Sequence, residues 1–328
     1  NRYHSLVLHN EVHVNHLPYM PFPDTWPTYI PKDKLANWFE SYVDAMEINF
    51  WTATEFLGGD YDEAAGHWRV KVRREGKERL LRPRHIVIAT GVNGIPNLPD
   101  LPGLSDFAGE VVHSGAYGDG QQWQDRNAIV LGTGNSGHDV AQDLHGYGAK
   151  VTLVQRSPTT IVSVEPSGQL VYALYSEGPP TEDCDLVTAS TPYPLLKRTC
   201  ELLVDVMAEH DRETIDGLHR VGFRMDDGED RTGFQMKYLR RGGGYYMDIG
   251  CCQLVINGEI GLAQFDELTH FEENGARLAD GSLLPADLLV LATGYTGQQE
   301  LMRRLFGDGV ADRAGPVWGF GDDGELRN

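Results

Sequence analysis

Gly132, Gly134 and Gly137 stand in the run GTGNSG, directly after the apolar stretch AIVL and at the start of a helical pattern. A GxGxxG string alone carries little information. Between a strand and a helix each glycine acts differently. The first turns the chain, the second lets the backbone approach a pyrophosphate, and the third seats the helix on the strand. Asn135 and Ser136 lie where that helix opens, and its free N–H groups and positive dipole end suit phosphate. The following strand ends Val154-Gln155-Arg156-Ser157, where a NAD site usually places an acid for the ribose 2′-OH. Arg156 can stack on adenine and pair with a 2′-phosphate, and the Ser157 hydroxyl can donate to it. The expected ligand is NADP(H).

Other chemistries find less support. Cys184, Cys200, Cys251 and Cys252 show no CxxC and no Cys/His spacing suited to zinc. Adjacent residues of a strand face opposite ways, so a Cys251–Cys252 disulfide is not expected, and reduced thiols are. The 12 histidines form no HxxxH or HExxH, and there is no GxSxG elbow, so zinc and serine hydrolases are set aside and no metal is expected. With 28 Lys+Arg against 48 Asp+Glu the formal net charge is −20, which opposes nucleic-acid binding. No apolar run approaches the roughly 20 residues of a membrane helix. The chain shows no signal peptide and does not begin with Met, and a cytoplasmic protein is expected.

The elements that must position these residues follow from periodicity. The first thirty residues are rich in aromatics and proline and read as an irregular segment anchored by Tyr19, Phe22 and Trp26. Leu35, Trp38, Phe39, Tyr42, Val43 and Met46 then trace one face of a helix. INFWTATEF reads as a strand, and HWRVKVRREGKERLLR as a hairpin with Trp68, Val70 and Val72 on one face. RHIVIATGV, ending in Ala89-Thr90-Gly91, suits a strand buried on both faces. The Pro-rich IPNLPDLPG reads as a linker or crossover. Asn127–Leu131 opens an α/β unit, with a helix over about Ser136–Tyr147 ended by Gly148 and a second strand KVTLVQ. LLKRTCELLVDVMAEH is an amphipathic helix, and DDGEDRTG a solvent-facing loop without calcium-loop spacing. Tyr245, Tyr246 and Asp248 read as a buried aromatic strand rather than a pocket lining. FEENGARLADGSLL carries two hairpin turns, and ADLLVLATGY, with Thr293, repeats the pattern of RHIVIATGV.

FAGEVVHSGAY fits FxGxxxHxxxY through Phe107, Gly109, His113 and Tyr117, just before the dinucleotide unit. Here the chain resembles the flavin-containing monooxygenase family, including its bacterial and plant indole-pyruvate-oxidising relatives. The Baeyer–Villiger branch normally has Trp where this chain has Tyr117. The resemblance runs through nearly all of the chain, from RYHSLVLH and MPFPDTWPTYIPKDKLANWFESY to the paired IVIATG and LVLATGY. It implies that NADPH reduces FAD and that reduced flavin takes up dioxygen at C4a. The resulting (hydro)peroxyflavin passes one oxygen atom to a small organic substrate. It further implies flavin-site or catalytic roles for His9, His113 and Tyr117. FAD contacts are implied at Thr54, Phe56, Ala89, Thr90 and Gly91, and NADP contacts at Gly132, Gly134, Asn135, Ser136, Gly137, Arg156, Ser157 and Thr293.

The expected fold is α/β: two Rossmann-like, doubly wound nucleotide-binding domains, with an NADP domain inserted in an incomplete FAD domain. The expected divisions are 1–118 for part of the FAD domain, 119–294 for the NADP domain with a helical insertion at about 158–250, and 295–328 for the return. The family begins with a strand–GxGxxG–helix for FAD, and only the NADP copy occurs here, as in an internal fragment that would not turn over alone. Two other readings remain: a flavin disulfide or thiol reductase on paired Rossmann domains, and a non-catalytic NADP-binding fragment. N- or S-oxygenation, Baeyer–Villiger and decarboxylating chemistry all stay open.

Overall fold

The computed structural model describes residues 3–327, the side chain of Glu177 excepted. The chain divides into two compact units, Asn1–Trp38 with Leu98–Thr293, and Phe39–Asn97 with Gly294–Asn328.

The first unit is built on five strands: β1 (Glu110–His113), β2 (Asn127–Leu131), β3 (Lys150–Gln155), β4 (Gly261–Gln264) and β5 (Leu288–Leu291). They lie in the order β4-β3-β2-β5-β1, every neighbouring pair parallel. Chain order reverses beside β2, because β3 leaves on one side and β5 returns on the other. A crevice opens at such a point, beyond the carboxyl ends of the strands.

Burial on both faces explains the continuous apolar runs. Ala128, Val130, Leu288 and Val290 face one core with Val140, Ala141 and Leu144 of helix α1 (Asn135–Gly146). Their neighbours Ile129, Leu131, Leu289 and Leu291 face a second core with Phe271 and Ala276. The latter come from an antiparallel sheet of Leu268–Glu272, Gly275–Leu278 and Leu283–Pro285, the hairpins expected from their turn residues. Gly148, at φ 86°, ends α1 as expected. Between β3 and β4 the chain forms the parallel pair Thr160–Ser163 and Tyr245–Asp248, and the expected amphipathic helix spans Tyr193–His210. Tyr246 is fully buried, in keeping with an aromatic core strand.

Several expectations are corrected. The first thirty residues are not wholly irregular, since Val7–Glu11 pairs antiparallel with Tyr29–Pro31. Phe22 and Trp26 do stack, at 4.6 Å between centroids, but Tyr19 is 90% exposed and anchors nothing. Cys251 and Cys252 open the helix Cys251–Ile256 rather than lying in a strand. Asp248 decides this, because its carboxylate accepts the Gly250 and Cys252 N–H groups at 2.9 and 3.1 Å. In the loop DDGEDRTG, Asp226 is not simply solvent-facing: it accepts from Lys237 Nζ at 2.5 Å, and Lys237 is 1% exposed.

The second unit carries the strands Thr54–Asp62, His67–Arg74 and Lys77–Leu81, with Phe306 of helix Gln298–Phe306 set edge-on against Phe56 and Trp68. The strand begins at Thr54, not at Ile48, and Phe50 and Trp51 are exposed. The largest correction is at IVIATG. Residues 86–91 join no ladder, and Val87 is 85% exposed. A buried strand needs partners for its N–H and C=O groups on both sides, and no strand of the described residues pairs with this segment. Its apolar composition is therefore not sufficient to make it one.

Candidate functional site

The glycine turn sits at the carboxyl end of β2, where the chain order reverses. A Cβ placed on Gly132 would lie 2.3 Å from the Ala292 carbonyl oxygen, and one on Gly137 would lie 2.0 Å from the Gly132 oxygen. Both glycines are therefore required by the protein's own packing, Gly132 also by its φ of 124°. Gly134 differs. Its φ is −84°, and a Cβ there would meet only the Tyr245 oxygen at 3.6 Å. Nothing in the fold demands glycine at 134, and its backbone there is bare. No side chain caps α1 at Gly134; the Gly137 and His138 N–H groups donate to the Gly134 carbonyl, both at 3.1 Å, and the Asn135 and Ser136 N–H groups ahead of them suit an anion. Asn135 turns inward instead: its Oδ1 accepts the Met247 N–H at 2.9 Å and ties the turn to Tyr245–Asp248.

Behind the turn, α1 is polar but buried. His138 stacks flat on Tyr246 at 3.9 Å and shares a 3.2 Å hydrogen bond with the Gly134 oxygen; burial pushes its pKa down to about 4. Asp139 accepts the Tyr3 hydroxyl at 2.6 Å, yet burial raises its pKa to about 6. Thr133 and Thr159 share a 2.7 Å hydrogen bond that holds the turn to the segment after β3.

At the end of β3, Gln155 is fully buried. Its carboxamide donates to the Arg224 carbonyl and accepts the Arg224 N–H, both at 2.8 Å. The residue standing where an acid was sought thus serves the interior. Arg156 and Ser157 follow it into solvent, with Arg156 Nε 3.5 Å from Ser157 Oγ, and Arg156 has no ion pair among the described residues. Thr293 follows β5, one residue past Ala292, whose oxygen abuts Gly132. The expected NADP residues accordingly gather along one edge of the sheet.

The residues of FxGxxxHxxxY each meet another part of the same unit. The Phe107 ring lies 2.8 Å or less from where a Gly109 Cβ would stand and packs against Phe271. His113 ends β1, 7% exposed, and its Nδ1 accepts the Gly115 N–H at 3.1 Å, so the proton sits on Nε2. Tyr117, 5% exposed, donates to Asp143 of α1 at 2.7 Å, and burial together with that carboxylate raises its pKa far above the usual phenol range. His9 lies half-buried in Val7–Glu11 with its pKa lowered by burial, and its carbonyl accepts from Gln169 at 2.9 Å.

In the second unit the expected FAD residues are dispersed. Phe56 packs on Phe306, the Thr54 hydroxyl donates to the Thr52 carbonyl at 2.9 Å, and Ala89 and Thr90 are exposed. Gly91, at φ 72°, accepts from Gln298 at 2.9 Å. In this unit Gly297 and Gly307 stand at the N-termini of the helices Gln298–Phe306 and Asp308–Ala314, but among its described residues no GxGxxG run joins a strand to a helix. No group of three or more His, Cys, Asp or Glu among the described residues could hold a metal ion, and no helix is long and apolar enough to cross a membrane.

A family model described as flavin-binding monooxygenase-like matches residues 1–175, more than half of the chain. The chain belongs to that family. Among its relatives are the indole-3-pyruvate monooxygenase YUCCA1 of Oryza sativa subsp. japonica and the probable indole-3-pyruvate monooxygenase YUCCA4 of Arabidopsis thaliana. Each is 30% identical over 295 residues and covers 89% of this chain. The chain spans 66% and 65% of their lengths, just under two thirds. Of the solved structures, a triple mutant of cyclohexanone monooxygenase from Rhodococcus sp. Phi1 bound to NADP+ superposes with a TM-score of 0.69 at 22% identity. It covers 93% of this chain and 66% of that one. OTEMO in complex with FAD and NADP gives 0.67 at 16% identity, with 93% and 66% covered. The fold is thus that of the two-domain flavin monooxygenases. What neither motif nor family resemblance marked is the set Gln155, Arg224 and Gln264, whose partners are 69 and 109 residues apart in sequence. Only the missing acid at 155 hinted at it.

Proposed function

We propose that this member of the flavin-binding monooxygenase-like family binds NADPH on its five-stranded sheet and, with FAD, uses dioxygen to oxygenate a small organic substrate. The observation that carries the dinucleotide reading is Gly134: a glycine in a conformation open to any residue, with room for a side chain, at an uncapped helix terminus. A backbone kept bare without internal need suits close approach of a pyrophosphate. Arg156, unpaired among the described residues, supplies the cation for a 2′-phosphate, with Ser157 beside it, while Thr293 bounds the crevice at β5. In this reading the residues orient the nicotinamide and hold the oxidised dinucleotide in place afterwards, limiting water at the reacting centre. Flavin, when bound, supplies hydride acceptance and the reaction with dioxygen.

The relatives named for indole-3-pyruvate make an aromatic 2-oxo acid the first substrate to try. A thiol-reductase reading loses support, because the four cysteines are buried and burial pushes the Cys251 and Cys252 thiols up, away from the thiolate. The test is NADPH oxidation by the flavin-loaded protein under labelled dioxygen. One labelled oxygen atom in the organic product is expected. NADPH consumption that yields only hydrogen peroxide with every substrate class, or that reduces disulfides, would overturn the reading.

A further inference from the structure

We infer that Arg224 is a second cation for the ribose phosphate, released to it from Asp266 and held in place by the buried Gln155–Gln264 pair. This rests on the NADPH reading above and deepens it. Gln155 and Gln264 are register partners at the ends of β3 and β4, 0% and 9% exposed. Gln155 grips both the N–H and the C=O of Arg224, as a neighbouring strand would. Gln264 Nε2 donates to Gln155 Oε1 at 3.3 Å and to the Gly222 carbonyl at 3.2 Å. Thr159, three residues beyond Arg156, donates its N–H to the Arg224 carbonyl at 3.1 Å. The backbone of 222–224 is therefore fixed against the residue that precedes Arg156, at the strand end where the ribose is read.

The clamp explains why no acid stands at 155. A glutamate there would offer no donor to the Arg224 carbonyl and would bury a charge without a cation in the clamp. The selection against NAD is thus built into the packing that positions Arg224. The Arg224 guanidinium meets Asp266 through both nitrogens, at 3.0 and 3.1 Å, but the pair is open to water, 44% and 64% exposed. An exposed pair of this kind holds its partners weakly. A phosphate near two negative charges, with three acceptor oxygens, competes well for a planar fork of donors. Arg156 and Arg224 would then share the phosphate.

The experiment is calorimetric titration of the purified protein with adenosine 2′,5′-bisphosphate and with adenosine 5′-monophosphate, which differ only in the 2′-phosphate. Arg224→Ala should weaken the bisphosphate about tenfold and leave the monophosphate within about twofold. Asp266→Asn should act in the opposite direction, tightening the bisphosphate by about two- to fivefold, because it frees the cation. A structural role for the ion pair would instead make both substitutions weaken both ligands. An Arg224→Ala protein that discriminates as well as wild type, or an Asp266→Asn protein that binds the bisphosphate less tightly, overturns the inference. If Arg156→Ala abolishes discrimination while Arg224→Ala does not, only the inference falls. If the wild-type protein does not discriminate at all, the NADPH reading falls with it.

Discussion

Replacing Gly134 by Ala separates binding from folding. At φ −84° and ψ −171° an alanine adopts the backbone without strain, and its methyl meets only the Tyr245 oxygen at 3.6 Å, an ordinary contact. Exchanging Gly for Ala at such a position stabilises by about 0.4–1 kcal/mol, because the unfolded chain loses freedom. For a chain of this size that is a rise of about 0.6–1.5 °C in thermal midpoint. The same methyl stands where a pyrophosphate oxygen would approach the backbone, so NADPH affinity should fall on the order of tenfold or more, about 1.4 kcal/mol per decade. Gly137→Ala is the contrasting case. Its methyl would overlap the Gly132 oxygen at 2.0 Å, costing about 3 kcal/mol or more, with binding lost as a consequence of misfolding. The assay is a thermal melt paired with fluorescence titration of NADPH on each variant. A Gly134→Ala protein that melts at or above the wild-type temperature and binds NADPH equally well would refute the reasoning, for the bare backbone would then face nothing.

Other expectations follow from the same geometry. Arg156→Ala should weaken NADPH by about 10- to 150-fold, the range for a charge-assisted bond of about 1.5–3 kcal/mol, and leave NADH nearly unchanged in side-by-side titrations. Tyr117→Phe removes the hydroxyl from Asp143, which keeps the Gly120 N–H at 2.9 Å; about 1.5–3 kcal/mol should be lost in urea denaturation. Unchanged stability with more peroxide formed per NADPH would instead favour the flavin-site or catalytic role that the family resemblance implies for Tyr117. Acid stability reads two neighbours on α1. His138, depressed to about 4, makes the folded state lose stability as pH falls from 6.5 towards 4; Asp139, raised to about 6, makes it lose stability as pH rises from 3.8 towards 6. Each is worth about 3 kcal/mol and the two nearly cancel, so Asp139→Asn should expose a steep loss between pH 6.5 and 4, and His138→Phe the reverse slope, in urea midpoints taken across that range.

The glycine turn is legible in the sequence because its constraints are local: a left-handed φ at 132 and a helix seated at 137 leave marks within six residues. The strands β2 and β5 are legible because both their faces are buried, so every position of Ala128–Leu131 and Leu288–Leu291 is apolar. IVIATG has the same composition, and the inference fails there because strand identity belongs to the ladder and not to the segment. The aromatic residues of the first thirty positions are legible as a group but not singly: Phe22 finds Trp26 and Trp38, whereas nothing reaches Tyr19. The Cys251-Cys252 pair reads as strand but folds as helix because that helix depends on one carboxylate, Asp248, whose capping role no periodicity shows.

Gln155 marks the deeper limit. Along the chain it is an absence, a missing acid that points to NADPH. Within the fold it is a positive device, a neutral donor and acceptor that fixes a segment 69 residues away. Tyr117 has the same character: a motif residue whose hydroxyl reaches α1 and so braces the helix whose N-terminus faces the crevice. In both, the interior bond and the exposed function lie on one short element, so a substitution that disturbs one disturbs the other. Affinity lost at Gln155 or Tyr117 would therefore come with lost stability, whereas at Gly134 and Arg156 the two should part. That difference follows from burial alone, and it would sort residues proposed to touch the dinucleotide from residues that hold those in place.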